Sequence, residues 1–266
     1  MRPTIHCVRH AQGFHNVGGG NYSLPDPSLT PLGEQQCESL RTNSFADQTK
    51  ISLVAASPLR RTLHTASLVF GEALESHESC SPTILAFPDA QEISDDLCDT
   101  GSDPAVLREV AAKNAWPVDL SLVHEGWNSK SLEGPYSPRD SAIRARAHAV
   151  RLVLRQEMRE LIEKGNPAPQ IVLVTHGGFL HYLTDDWEES DVYAGTGWRN
   201  CETRSYEFKE DCMQYADLEA KLVETMESRL KRGKMYPMID QAEQNKLSKL
   251  SMQRWEAQGL QRFDRI

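Results

Sequence analysis

Ile171-Val172-Leu173-Val174-Thr175-His176-Gly177-Gly178-Phe179-Leu180 reads as a strand that runs straight into a helix. Its first five residues are apolar or β-branched at nearly every position, the pattern of a strand buried on both faces. Helices must then cover both faces, which points to a parallel sheet. The two glycines let the backbone approach a ligand closely as the helix begins, and a helix N-terminus favours anions. Outward from this stretch the same alternation recurs. Thr4–Val8 and Ile51–Ala56 read as strands, Ile84–Phe87 as a weaker one, and Arg204–Phe208 as a strand at the sheet edge. Thr30-Pro31 pairs an N-cap residue with proline at the first helical position, and Ser57-Pro58 repeats the signal. Leu59, Leu63, Ala66 and Phe70 then follow at helical spacing. Ile143, Ala147, Val150, Leu154 and Leu161 mark one face of a helix from Arg139 to Lys164, with Gly165 as its C-cap. Strand–helix alternation of this kind predicts an α/β fold with a largely parallel sheet.

Residues 17–29, 98–104 and 126–138 are loop-like, rich in Gly, Pro, Ser and Asp. Beyond Phe208 the composition turns charged, with Leu218, Leu222, Met226 and Leu230 spaced as one helix face and a second pattern carrying Leu247, Leu250 and Trp255. This divides the chain into a body of residues 1–208 and a helical C-terminal extension, 209–266, packed on it.

The chain has 266 residues, 39% hydrophobic and 25% charged, enough for a sizeable core. No run approaches the ~20 apolar residues of a membrane span. The formal charge of −9 disfavours broad nucleic-acid binding. An anionic substrate must therefore be met by a local cationic pocket. Cys7, Cys37, Cys80, Cys98, Cys201 and Cys212 are scattered, without a CxxC pair. With no apolar segment at the N-terminus, they read as reduced thiols of a cytoplasmic protein.

Ligand crevices of open α/β sheets lie at the C-terminal ends of the strands. That rule gathers Arg9-His10 after the first strand, Arg61 in the first helical turn after the second, and His176 after the fourth. Singly, each reads as well as a surface arginine or a capping histidine. Together they give two imidazoles and two guanidiniums at one mouth, and arginine offers bidentate donors to phosphate oxygens.

Arg9-His10, Asn16, Leu29-Thr30-Pro31-Leu32-Gly33, Ser57-Pro58-Leu59-Arg60-Arg61-Thr62 and Thr175-His176-Gly177-Gly178 occur in the order of the histidine phosphatase superfamily, phosphoglycerate-mutase-like branch. Residues 1–208 resemble that family. The resemblance implies a three-layer αβα fold with a mostly parallel central sheet. It makes His10 the nucleophile that becomes phosphohistidine, with Arg9, Arg61 and His176 holding the phosphoryl group and Asn16 an auxiliary contact. Arg60 is left at the surface. The family's Arg-His-Gly reads Arg9-His10-Ala11 here. Its general acid follows the third strand, which makes Glu92 the candidate, with Asp95 and Asp96 as rivals. Such chemistry needs no metal and no cofactor, and no metal-ligand spacing is present.

Mutases of the family follow their acid with an Arg-His-Tyr-Gly-like stretch, whereas Glu92 is followed by the acidic Ile-Ser-Asp-Asp-Leu-Cys-Asp-Thr-Gly. The acid phosphatase and phytase signature R-H-G-x-R-x-P is also missing. The expected activity is a phosphatase of the mutase-like branch, similar to fungal members with a Gly-Trp-x-Asn-Cys-Glu segment, here Gly197–Glu202. A mutase-type phosphotransferase and a non-catalytic phospho-ligand binder are the alternatives. Phe14, Tyr22, Trp127, Tyr136 and Trp198 fall in or near the loops. If several line the mouth, a partly apolar leaving group such as an isoprenoid (di)phosphate is the expected partner.

Overall fold

The computed structural model describes residues 2–18, 21–76, 81–190, 196–210 and 218–258. His77, Cys80 and Cys212 lie outside them. Seven strands form one sheet: β1 (Thr4–Arg9), β2 (Ile51–Ala56), β3 (Ile84–Ala86), β4 (Val118–Asp119), β5 (Gln170–Thr175), β6 (Thr203–Phe208) and β7 (Leu222–Glu224). Their spatial order is β4-β3-β2-β5-β1-β6-β7. The first five of that order run parallel, and β6 and β7 are antiparallel additions. β5 lies in the middle and is buried from Ile171 onward, as its unbroken apolar run requires.

Helices cover both faces, which makes the three layers. Val8, Val54, Val172 and Val174 meet Leu40, from α1 (Pro31–Ser44), and Leu63, Ala66, Val69 and Phe70, from α2 (Arg60–Glu75). On the other face Ile5, Leu53, Ile171 and Leu173 meet α4 (Asp140–Glu163), through Ile143, Ala147, Val150 and Leu154, and α5 (Gly177–Thr184), through Phe179, Leu180 and Leu183. Each fully buried aliphatic side chain contributes about 1.5–3 kcal/mol. The period-2 alternation of the strands therefore fixes which face each helix takes.

Thr30 caps α1 as its sequence predicts, its hydroxyl accepting from the Gly33 N–H. The equivalent expectation at Ser57 fails. α2 begins at Arg60 behind Leu59, and the Ser57 hydroxyl lies against an imidazole instead. β4 and α3 (Pro104–Lys113) were not expected from the sequence, because two residues of strand carry no periodicity. The edge assignment of residues 204–208 is also corrected. β6 pairs with β1 on one side and β7 on the other, so the chain beyond 208 supplies the edge. That strand interrupts the helix face expected through Leu218, Leu222, Met226 and Leu230. Leu222 is buried in the sheet, whereas Leu218 and Leu230 are exposed on either side of it. Among the described residues of the extension, helix follows as α6 (Met226–Lys231) and α7 (Gln241–Ala257). Among the described residues no helix is long and apolar enough to cross a membrane.

Candidate active site

β1 and β5 are paired in register, Arg9 opposite Thr175. The two strands therefore release His10 and His176 side by side, with ring centroids 5.2 Å apart. Both rings are buried. The His10 Nδ1 lies 2.7 Å from the Ala11 carbonyl oxygen, which can only accept, so Nδ1 carries the proton. Nε2 is left with its lone pair facing Arg61 Nε at 3.3 Å. Arg61 also reaches His176 Nδ1 at 3.0 Å. That contact leaves the other nitrogen of His176 to donate to the Ser57 hydroxyl at 2.9 Å. Burial first, and then the Arg61 charge, push both imidazoles well below their ordinary pKa. His10 is thus a neutral, oriented base.

The Ala11 position accommodates its extra carbon without strain. Ala11 is fully buried and has no positive φ, and its N–H donates to Thr65 Oγ1. Arg9 donates to the Trp198 carbonyl. The segment from Trp198 to Glu202 closes over the β1 end: the Cys201 N–H donates to the Arg9 carbonyl and Asn200 Nδ2 to the His10 carbonyl. Among the described residues, Arg9 Nε, His15 Nδ1 and Thr196 Oγ1 are buried without a hydrogen-bond partner. Asn16 folds its Oδ1 back on the Gly13 N–H at 3.1 Å, so it shapes this loop.

Arg60 and Arg61 separate as adjacent helix positions must. Arg61 is fully buried at the crevice, and Arg60 is half-buried outside it. Glu92 lies across the mouth, its carboxylate at the first turn of α5. Oε2 accepts from the Gly178 N–H at 3.1 Å, and Oε1 from the Phe179 and Ile93 N–H groups at 2.8 and 3.0 Å. The glycines of the opening stretch therefore make room for protein as well as ligand. A Cβ on Gly178 would stand 2.7 Å from Glu92 Oε1. Burial raises the Glu92 pKa, and nearby Asp99 raises it further.

Three members of the site escaped the sequence reading. Asp99 bridges Arg61 Nη2 at 2.8 Å. Ser57 receives His176. Lys130 donates from Nζ to the Glu92 carbonyl at 3.0 Å, and burial pushes its pKa down to about 7. The only signal for Asp99 was its place in the acidic run after Glu92; nothing marked Lys130 among its loop neighbours. Asp95 and Asp96 sit half-exposed on the same segment. His64 stacks on Trp116, outside the group. The aromatic mouth is smaller than expected. Trp127, Tyr136 and Trp198 are buried in the body, leaving Phe14 and Tyr22 exposed. Among the described residues no group of three or more His, Cys, Asp or Glu side chains is arranged to hold a metal ion.

The profile of the histidine phosphatase superfamily (branch 1) matches residues 5–79, which carry His10 and Arg61. A phosphoglycerate mutase-like protein of Arabidopsis thaliana is 32% identical over 238 residues, 76% of this chain and 83% of that one. The chain belongs to the histidine phosphatase superfamily. Solved structures agree on the fold. The ecdysone phosphate phosphatase of Bombyx mori, in complex with tungstate, aligns with a TM-score of 0.52 at 17% identity, covering 78% of this chain and 90% of that one. A mycobacterial glucosyl-3-phosphoglycerate phosphatase aligns at 0.50 and 20% identity, covering 84% and 96%. In this member of the superfamily Arg9, His10, Arg61 and His176, the four residues that the sequence resemblance singled out, stand together at the ends of β1, β2 and β5.

Proposed function

We propose that this chain is a phosphatase that hydrolyses a phosphate monoester or diphosphate of a small metabolite through a phosphohistidine at His10. The observation that carries the reading is the His10 Nε2 lone pair, held at the crevice by Arg61 beside His176. Nε2 attacks phosphorus as the bond to the leaving oxygen breaks. Arg9, Arg61 and His176 bind the equatorial oxygens, where negative charge must be stabilised. Glu92 gives its proton to the leaving oxygen. As a carboxylate it then takes a proton from water, whose oxygen attacks phosphorus and frees His10. Raising the Glu92 pKa serves the first half of this cycle. Guanidiniums supply the positive charge that a metal brings elsewhere, so the reaction needs neither metal nor cofactor.

Hydrolysis is favoured over mutase-type transfer by the carboxylates that border the site. Asp95, Asp96 and Asp99 follow Glu92 where a phosphoglycerate would need cations for its own carboxylate. Both solved neighbours named above are phosphatases, which supports the same choice. Exposed Phe14 and Tyr22 suit a leaving group with an apolar portion, of which an isoprenoid (di)phosphate is one form. The free thiols of Cys7, Cys37, Cys98 and Cys201 support a reducing, cytoplasmic setting.

The test is to incubate the protein with a nitrophenyl phosphate, quench it in base and measure the phosphoryl mass on the peptide containing His10. We expect the adduct in wild type, with none in His10→Ala and no turnover by that variant. Phosphate release should survive thorough chelation. A His10→Ala protein that still releases phosphate at the wild-type rate removes His10 from the role. Ligand binding without adduct or turnover leaves the non-catalytic alternative.

A further inference from the structure

A third imidazole stands beside the two already described. After β1 the chain enters a single turn of 3-10 helix, Phe14–Val17, behind Gly13. The turn is pinned at three points. The Phe14 N–H donates to the Ser28 carbonyl at 3.1 Å, the Asn16 N–H to the Gly13 carbonyl at 2.9 Å, and the Gly13 N–H to Asn16 Oδ1 at 3.1 Å. It holds the His15 ring only 5% exposed, its centroid 5.3 Å from that of His10. Among the described residues Nδ1 of this ring is buried without a hydrogen-bond partner. A Cβ on Gly13 would stand 2.8 Å from both Nδ1 and Cε1, so a C–H of Gly13 is turned to that edge. A lone pair suits such a neighbour, and an N–H does not. Burial, and then the charges of Arg61 and Arg9, lower the His15 pKa to about 2. The ring is neutral, and its one proton sits on Nε2. We propose that His15 contacts the substrate, donating from Nε2 to a non-bridging oxygen of the phosphoryl group that His10 attacks. The inference deepens the reading of His10 as the nucleophile and rests on it.

In-line attack by His10 drives the leaving oxygen out on the far side of phosphorus, toward Glu92. His15 stands on the near side, five residues along the same connection as the nucleophile. The oxygens within its reach are those that stay on phosphorus. The surroundings of the ring agree. Arg61 and Arg9 both act on His15, and His15 acts in turn on His10 and His176, so it faces the four residues that would hold the anion. Packing alone does not account for an imidazole here. A buried ring nitrogen without a partner costs stability that an apolar side chain of the same size would not. Such a group is retained where the second nitrogen has an acceptor to meet, and a phosphoryl oxygen at His10 supplies one. The two arginines bring charge to that oxygen set; His15 adds a directed N–H beside the attacking ring.

The test compares wild type, His15→Leu and His15→Gln. Leucine fills the space without a donor, and glutamine carries an amide N–H to about the position of Nε2. The probe is tungstate, which offers the oxygens of a phosphoryl group and has no leaving group. By calorimetry His15→Leu should bind tungstate about 10-fold more weakly, the scale of a lost hydrogen bond to an anion. Its kcat/KM should fall by a similar factor on an alkyl phosphate and on a nitrophenyl phosphate alike. His15→Gln should stay within about 3-fold of wild type on every measure. Independently of turnover, wild type labelled with ¹⁵N-histidine is titrated with tungstate. The His15 Nε2–H signal, identified by its loss in His15→Leu or His15→Gln, should move and exchange more slowly with water at saturation. A His15 signal that does not move at saturating tungstate overturns the proposal, whether or not the variants fold. Wild-type tungstate affinity in His15→Leu overturns it as well, and a loss confined to the alkyl phosphate would place the contact at the leaving oxygen instead. A wild-type protein that binds tungstate but forms no phosphohistidine overturns the nucleophile reading, and this inference with it. An adduct with an unmoved His15 signal overturns this inference alone.

Discussion

At the scale of single residues, the site is organised by one guanidinium. Arg61 is the common partner of His10, His176 and Asp99, and it is wholly buried. Its neighbour Arg60 points about 100° away around the helix. Arg61→Ala is therefore expected to cost at least ~10²-fold in kcat/KM, the scale of removing a transition-state donor, while Arg60→Ala stays near wild type. Steady-state kinetics on one phosphate ester decides it, and equal losses would contradict the geometry. The arginine pair was visible in the sequence; helical periodicity allowed only one of the two to face the crevice, and the family resemblance chose Arg61. Asp99 was equally visible and unassignable, because three aspartates follow Glu92 within seven positions and no period distinguishes them.

At the scale of elements, the decisive junction is the entry to α5. The strand–Gly–Gly–helix reading held, and the structure adds that Glu92 occupies the first turn of the helix. A methyl on Gly178 would lie 2.7 Å from Glu92 Oε1 and 2.8 Å from Ile93 Cδ1. Gly178→Ala should therefore displace the acid, lowering kcat on alkyl phosphates by at least ~10-fold and on nitrophenyl phosphate by less. Gly71 lies within α2 in open space, so Gly71→Ala should leave both rates unchanged. A Gly178→Ala enzyme with both rates intact would show that Glu92 need not sit at the helix end. β4, α3 and β7 are the elements that local pattern did not find. A three-residue strand such as Leu222–Glu224 exists because β6 offers an unpaired edge, a tertiary fact with no local signature.

On the scale of the whole molecule, a buried ionic network ties the C-terminal extension to the body. Arg204 on β6 meets Glu202 at 2.7 Å and Asp186 at 3.4 Å. From the chain beyond Phe208, Arg232 reaches the same Asp186 at 3.8 Å, and Arg229 meets Glu188 at 3.0 Å. Arg204 also lies 3.8 Å over the Trp198 ring. Breaking a buried pair leaves the other charge uncompensated, so Arg204→Met should destabilise by about 3–5 kcal/mol, measured by denaturant unfolding. A near-neutral result would mean that the network adds no stability. The buried histidines make a second prediction. Burial lowers the His181 pKa to about 4, and His10 and His176 are also lowered. The unfolded chain takes up protons near pH 6.5 that the folded chain refuses. Stability is therefore complete above that pH and falls as pH drops, by about 3 kcal/mol for His181 alone by pH 4. Carboxyls whose pKa is raised, such as Glu92 and Asp186, act in the opposite sense. The comparison belongs between pH 7.5 and 5.5, where the imidazoles titrate. The urea midpoint should fall across it, and a flat midpoint would show that these rings are charged in the native state.

The sequence by itself determined the α/β layering, because apolar runs at Ile51–Ala56 and Ile171–Thr175 leave no other way to bury both strand faces. It also determined that His10, Arg61 and His176 meet at one mouth, because strand ends in a parallel sheet share a side. Only the tertiary structure decided which nitrogen of His10 bears the lone pair, which arginine donor reaches it, and that Asp99, Ser57 and Lys130 belong to the site. Periodicity specifies the face a residue takes; hydrogen-bond partners brought from 37 and 38 positions away, as Cys98 and Asp99 are to Arg61, exist only once the chain has closed on itself.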